Sequence, residues 1–138
     1  MKNSNAKLWL AGTTVVAMYG ATAGEVCLLA SSLTANQACC ALIPKQGYRC
    51  FLFLKANRSK NDLAGKASGS AQQNLNQSLI ANFGTVLPSQ KIADAFEERA
   101  ASIVDKWIAN ERESECLRKV RDALLPKLIS GRLRIPAG

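Results

Sequence analysis

Five of the six side chains at residues 72–77 carry an amide group: Gln72, Gln73, Asn74, Asn76 and Gln77. An amide presents a hydrogen-bond donor and an acceptor side by side, which matches the N6 and N7 groups of adenine in the major groove of DNA. The same amides can instead satisfy the backbone of a surface loop. The composition of this run alone favours the loop, so other features of the chain must decide between the two readings.

The positive charge of the chain is unevenly distributed. The 138 residues carry a net charge of +8, and residues 1–90 hold eight Lys and Arg against two acids, Glu25 and Asp62. Residues 91–138 hold ten basic residues against eight acids. A basic body indicates a polyanionic partner, either nucleic acid or an anionic membrane surface. The alternative is that the charge serves solubility alone.

Catalytic chemistry has few candidate residues. The chain has no histidine, which excludes Ser-His-Asp and Cys-His catalysis and any zinc site built on histidine. It has no P-loop motif, and Gly20 and Gly24 do not form the strand–GxGxxG–helix pattern of a dinucleotide site. Glu25 and Asp62 are too far apart in sequence to indicate a carboxylate pair. We therefore expect a non-enzymatic chain with no metal and no cofactor.

The cysteines indicate a reducing compartment. There are five, and Cys39 and Cys40 are adjacent, which fits no C-x-x-C spacing. We therefore expect a cytoplasmic protein that does not insert into a membrane. One competing interpretation is a secreted protein, because Lys2 and Lys7 precede an apolar run at residues 8–18 that resembles a signal peptide. That run contains Gly12 and is too short to span a bilayer.

Hydrophobic periodicity predicts an α+β fold with a small β-rich body. β-Branched and apolar runs predict strands at residues 13–18, 25–30, 34–43 and 83–87, and the last two stop at prolines. Residues 19–24 form a predicted turn, 48–56 a helix, 57–70 a basic loop, and 74–80 a short strand or helical turn. Asn36 and Gln37 interrupt the third strand, and we expect them to be buried with structural hydrogen-bond partners.

One long helix follows the body. Ser89 is a candidate N-cap, and no Gly or Pro follows until Pro126, which predicts about 36 helical residues and ~54 Å. Residues at heptad spacing predict a coiled-coil seam that needs a second helix: Ala93, Phe96, Ala100, Ile103, Trp107, Asn110, Ser114, Leu117, Arg121, Leu124 and Leu128. The alternative is that this seam packs on the body of the same chain. We divide the chain into a recognition body at 1–88, which we expect to be an incomplete domain, and a helix with its tail at 89–138.

Three ordered segments resemble the specificity subunit of type I restriction–modification systems. Residues 18–26 resemble the MYGATIGKV turn of that family, and residues 34–41 resemble its TTNQACCAI strand. Residues 70–76, followed by 87–88 and then by 124–131 at the end of the helix, resemble its GAAQPNIN, LP and LLSG motifs. Each segment is weakly specific, and the ordered set, which covers about residues 12–135, is strongly specific.

The resemblance implies a non-catalytic DNA reader. Such subunits carry target recognition domains that read a bipartite site in double-stranded DNA, and long helices that pair and dock the modification subunits. The restriction subunit joins through that complex. A full subunit has two recognition domains and two long helices, so this chain resembles the C-terminal portion of one. Glu25 stands where the family often has Lys, and Gln73 where it often has Pro.

These arguments yield two sets of candidate residues. The DNA contacts are Tyr19, Thr22, Arg58, Lys60, Lys66, Gln72, Gln73, Asn74 and Asn76. Tyr19 and Thr22 have an alternative role in supporting a corner of the fold, and the amides have one as loop scaffold. The helix-pairing residues are Phe96, Ile103, Trp107, Leu117 and Leu124. The competing function is an interaction module, a truncated remnant that self-associates through its helix and reads no DNA.

Overall fold

The computed structural model of the protein describes residues 7–67 and 74–134. Two small antiparallel sheets begin the chain. Strand β1 (Leu8–Trp9) pairs with β4 (Leu33–Thr34). The second sheet has the order β3 (Val26–Leu28), β2 (Thr14–Ala17), β5 (Cys39–Leu42). The central strand β2 is the most buried of the five strands, because both of its edges are paired.

The strands predicted at residues 13–18 and 25–30 are confirmed, and they pair as a hairpin. Val15 pairs with Cys27 and Val16 with Val26, in antiparallel register. Val16 is completely buried, as its β-branched side chain lies on the face that other elements cover. The connecting residues form a single 3₁₀ turn at Gly20–Thr22.

The prediction of one buried strand at residues 34–43 is wrong. Two short strands, β4 and β5, form there, and a turn separates them. Asn36 Oδ1 accepts a hydrogen bond of 3.0 Å from the Ala38 N–H, which draws the chain out of the extended conformation. Asn36 and Gln37 are both exposed rather than buried, and the side chains of β5 are only half-buried.

Three short helices complete the body. The predicted helix at 48–56 is confirmed as α1 (Arg49–Arg58). The predicted loop at 57–70 is wrong in part, because α2 (Lys60–Gly65) forms within it and buries Leu63. Residues 74–80 supply α3 (Gln77–Ala81), the helical one of the two predicted alternatives.

The predicted strand at residues 83–87 is also wrong. That segment carries no regular structure, and Val86 is 90% exposed. Its β-branched and aromatic residues suit a strand, but a strand needs a hydrogen-bonded neighbour, and none of the described strands pairs with it.

The long helix α4 (Gln90–Ile129) has 40 residues and a length of about 60 Å. It begins directly after Ser89, as predicted, although the Ser89 side chain makes no capping hydrogen bond. It runs through Pro126, which lies in its last turn and therefore forfeits only one backbone hydrogen bond. Gly131, at φ +70°, follows its end. None of the helices in the described ranges has the length and apolar content needed to cross a bilayer.

The first half of α4 packs on the body, and just beyond it the Arg112 side chain donates a hydrogen bond to the Ala30 carbonyl. Ala93, Val104 and Ile108 are buried, and the last two share a hydrophobic cluster with Cys50 of α1. Ala93 and Ala100 of the predicted seam do contact the body, but farther along the helix the buried positions are Val104 and Ile108, one residue after the predicted Ile103 and Trp107. From residue 109 to residue 134 every residue is exposed. The predicted α+β architecture with one long helix is confirmed.

Candidate nucleic-acid interface

The turn between β2 and β3 presents Tyr19 and Thr22 to solvent. Gly20 and Gly24 adopt backbone φ values of +73° and +90°, which residues other than glycine rarely adopt. The Thr22 hydroxyl donates to the Tyr19 carbonyl at 3.5 Å, and Ala23 is buried beneath them. Thr22 therefore helps to hold the corner, as its alternative role required, while the Tyr19 side chain remains 44% exposed.

Asn74 and Leu75, from the amide-rich run at residues 72–77, lie directly beside this turn. Tyr19 and Asn74 form an isolated antiparallel bridge, and the Leu75 N–H donates to the Met18 carbonyl at 2.7 Å. Leu75 is 1% exposed, and it anchors the segment in the core while Asn74 stays exposed. Residues that are 55 positions apart in the sequence thus share one surface.

Asn76 has a structural role in this surface. It is the N-cap of α3, and its Oδ1 accepts a hydrogen bond of 2.7 Å from the Leu79 N–H. This contact satisfies one of the N–H groups that a helix leaves unpaired at its start. The side-chain oxygen of Asn76 therefore stabilises the start of α3. Gln72 and Gln73, the other two predicted amides, lie outside the described residues.

The helix α2 contacts the turn, and two predicted lysines lie at its two ends. A Cβ atom on Gly24 would lie 2.6 Å from the Ala64 backbone nitrogen, so turn and helix are in direct contact. Lys60, at the start of α2, forms an ion pair of 3.5 Å with Glu25. Lys66, at its end, lies 5.7 Å from the centre of the Phe83 ring. Arg58 is exposed in the last turn of α1, immediately before α2.

One hydrophobic cluster anchors these groups. Met18, Ala23, Leu63 and Leu75 are buried together, along with Val16 and Ile80. Met18 precedes Tyr19, Ala23 follows Thr22, and Leu75 follows Asn74 in the sequence, while Leu63 lies in α2 between Lys60 and Lys66. The cluster therefore places an aromatic hydroxyl, an amide and two lysines around a single core. We name Tyr19, Thr22, Asn74, Lys60 and Lys66 the turn surface.

The predicted helix-pairing residues of α4 are all exposed. Phe96 and Leu124 are each 39% exposed, Ile103 is 72% exposed and Leu117 is 61% exposed. Trp107 differs from them, since its ring lies 5.4 Å from the ring of Phe53 in α1 and it is 46% exposed. Trp107 therefore packs partly on the body.

Sequence reasoning missed the contact that joins α4 to the body. Glu97 accepts a hydrogen bond of 2.9 Å from the Cys50 N–H at the start of α1, and its other oxygen lies 3.2 Å from the Cys50 sulfur. Arg49 also pairs with Glu97, at 3.4 Å, and with Asp105, at 2.8 Å. The absence of an acid in the first turn of α1 was the available signal.

Burial governs the thiol at this junction. Desolvation raises the pKa of Cys50 to about 11, and the hydrogen bond and negative charge of Glu97 act in the same direction. Burial alone would lower the pKa of the Arg49 guanidinium, but its hydrogen bonds and charge interactions with Asp105 and Cys50 together outweigh burial, and the pKa is raised. Cys50 is thus a neutral packing residue at physiological pH rather than a nucleophile.

Comparison with known proteins gives one family. Residues 2–117 match the family model of the type I restriction modification DNA specificity domain. In an alignment 137 residues long that covers 95% of this chain, the sequence is 29% identical to the type I restriction enzyme HindI specificity subunit of Haemophilus influenzae. It is 34% identical over 74 residues, or 54% of the chain, to the MjaIX specificity subunit of Methanocaldococcus jannaschii. These matches span 29% and 17% of the lengths of the two relatives.

Proposed function

The chain belongs to the family of type I restriction modification DNA specificity domains, and from this membership we propose that it is a DNA-recognition component of a type I restriction–modification complex. In this role it contacts double-stranded DNA and positions the enzyme subunits, and it catalyses no reaction itself. The proposal assigns residues 1–88 to a partial recognition domain and residues 89–138 to a spacer helix and its tail. It also places the protein in the cytoplasm, where its DNA substrate lies.

The observation that carries the proposal is the common core of the turn surface. Three parts of the chain that are distant in sequence converge there: the β2–β3 turn with Met18 and Ala23, α2 with Leu63, and the segment of Leu75. Lysines suit phosphate oxygens, and an amide such as Asn74 suits an adenine edge. A rigid core beneath them fixes the spacing between the phosphate contacts and the base contacts. We therefore propose Lys66 and Arg58 as phosphate contacts and Tyr19 and Asn74 as groove contacts, together with Thr22, Lys60, Gln72, Gln73 and Asn76.

The proposed partners follow from the exposed face of α4. Leu117, Leu124 and their neighbours lie beyond the body and are exposed to solvent. Burial of each large apolar side chain against a partner would stabilise the complex by roughly 1.5–3 kcal/mol. A second helix, from another specificity chain or from the rest of a longer one, would cover this face. The modification subunit would dock on the paired helices, and the restriction subunit would join through that assembly.

The test is a titration of labelled duplex with the chain, in the presence and absence of the modification subunit. Because lysines release counterions from DNA, affinity should fall steeply between about 50 and 200 mM salt. Lys66→Ala should reduce the magnitude of the salt slope by about 1, and Asn74→Ala should leave the slope unchanged while weakening binding to the cognate site. Lys106→Ala, an exposed change on α4, is the control. Binding that is indifferent to salt would contradict the turn surface as the DNA-contacting face.

A second function is an interaction module that self-associates and reads no DNA. The exposed apolar residues of α4 favour it, since they support pairing whether or not the body contacts DNA. This module would form a stable complex with itself or with the modification subunit, and that complex would have no greater affinity for duplex than the modification subunit alone.

A further inference from the structure

The three-stranded sheet has an open edge along β5. The sheet order places β5 at one side, paired only with β2 among the described strands. The Met18 N–H bonds to the Ala38 carbonyl at 2.8 Å, and antiparallel pairing alternates from there. This alternation directs the main-chain N–H and C=O of Ala41 away from β2, towards the open edge.

An apolar groove runs beside this edge. A cavity of about 470 Å³ is lined by Ala41, Leu42 and Ile43 of β5 and the residue after it, and by Leu52, Ile80 and Phe83 of other elements. A second cavity, of about 330 Å³, continues it and shares Ile43 and Leu52. Ile43 is 75% exposed at the junction of the two cavities. We name this combined space the β5 groove.

The lining of the β5 groove also includes residues of the segment at 83–87 that was predicted as a strand. Phe83 and Thr85 line the first cavity, and Thr85 and Leu87 line the second. The segment has the composition of a strand but no strand partner, and Leu87 is 61% exposed. Among the described residues, the unpaired edge of β5 and the strand-like segment at 83–87, which pairs with no strand, therefore line the same apolar space.

We propose that the β5 groove receives an extended, apolar β-strand from a part of a type I specificity protein that lies outside this chain. The strand would hydrogen-bond to the Ala41 edge and place alternate side chains between Ile43 and Leu52. This chain spans 29% of the length of the HindI specificity subunit, so relatives of that length carry a large remainder that can supply such a strand.

The charged residues that line the β5 groove indicate the charge of the strand that would bind there. Lys55 lines both cavities and Lys45 lines the second, whereas no carboxylate is among the residues that line either one. A strand with an acidic residue at one end would therefore fit better than a basic one. The proposal depends on family membership and not on DNA binding, so the two can fail separately.

The test uses overlapping labelled peptides of about 15 residues that together cover the HindI specificity subunit, titrated into the full chain. We expect an apolar, extended peptide to bind, and hydrogen exchange at the Ala41 amide to slow about tenfold in its presence. Ile43→Lys should weaken this binding about tenfold, and Leu10→Lys, an equally exposed apolar position away from the groove, should not.

Three results would overturn the proposal. One is that no peptide in the set binds. Another is a bound peptide whose affinity is unchanged by Ile43→Lys and which leaves Ala41 exchange unchanged. The third is self-association of the chain that Ile43→Lys abolishes, which would assign the groove to a second copy. Loss of duplex binding in a chain that still binds a peptide would refute the proposed DNA reading and leave this inference standing.

Discussion

Glu97, in the long helix α4, caps the start of α1 by accepting a hydrogen bond of 2.9 Å from the backbone N–H of Cys50. The residues are 47 positions apart, and the contact joins the helix to the body at one fixed point. A carboxylate at the positive end of a helix is favourable, and here Arg49 also pairs with it. This carboxylate therefore helps to hold α4 against the body, together with the packing of Val104 and Ile108 on Cys50.

Removal of the Glu97 carboxylate should destabilise the protein. We expect Glu97→Ala to lower the free energy of unfolding by about 1–3 kcal/mol, because the Cys50 N–H loses its partner in a half-buried site. Glu97→Gln retains an acceptor oxygen and should cost less. Urea unfolding measures both, with the exposed neighbour Glu98→Ala as control. Equal stability of the Glu97 and Glu98 variants would contradict the capping role.

Stability should fall at alkaline pH because of Cys50. The pKa of this thiol rises from an ordinary value of 9.0 to about 11 in the folded protein. The unfolded thiol therefore loses its proton first, and stability that is fully present below pH 9.0 is lost as the pH rises towards about 11. The two-unit shift corresponds to about 2–3 kcal/mol for this fully buried group.

The measurement is urea unfolding at several pH values across this range. The decline of the unfolding free energy between pH 9.0 and about pH 11 should be shallower in Cys50→Ala than in the parent protein. Cys116→Ala, at an exposed cysteine of α4, is the control and should follow the parent curve. Identical slopes for the parent and Cys50→Ala would exclude this thiol as the source.

Two glycines of the β2–β3 turn should respond differently to alanine. Both have positive φ, and so both variants incur backbone strain of about 1 kcal/mol. A Cβ on Gly24 would also meet the Ala64 backbone at 2.6 Å, whereas a Cβ on Gly20 meets nothing within 4 Å. We expect Gly24→Ala to cost about 2–4 kcal/mol in thermal unfolding and to displace α2. Comparable losses in the two variants would show that the turn and α2 are not in contact.

Substitutions of exposed apolar residues in α4 should distinguish helix pairing from the stability of the monomer. Leu117→Ala with Leu124→Ala should weaken self-association or docking of the modification subunit without changing the unfolding free energy of the monomer, because both lie beyond the body. Trp107→Ala should lower monomer stability by about 1–2 kcal/mol, since it removes the contact with Phe53. Sedimentation and urea unfolding measure the two effects. Arg118→Ala is the control on the exposed half of the helix.

Glu25 should restrain binding to DNA. Its carboxylate pairs with Lys60 at 3.5 Å on the turn surface, and it places a negative charge where phosphates would approach. We expect Glu25→Gln to raise affinity for duplex about 2- to 10-fold at low salt, with the gain shrinking as salt increases. Asp62→Asn, at the other acid of the first 90 residues, is the control. A smaller gain for Glu25→Gln than for Asp62→Asn would place the DNA on another face.

The sequence alone determined the elements whose signals are local. The β-branched and apolar run at residues 13–18 and the turn with Gly20 and Gly24 predicted β2 and its end, and helical periodicity after Ser89 predicted α4, because these signals depend on neighbours within a few residues. The excess of positive charge in the first 90 residues and the three ordered segments were also sufficient to indicate the family.

Tertiary structure alone decided the features that depend on distant contacts. Helix α2 forms where a loop was predicted, because Leu63 is buried with Met18 and Leu75. The segment at 83–87 stays irregular, because no described strand lies beside it to accept its hydrogen bonds. The face of α4 that contacts the body is set by Val104 and by the Glu97–Cys50 contact. These features depend on contacts between residues that are distant in sequence, and the local sequence pattern does not contain that information.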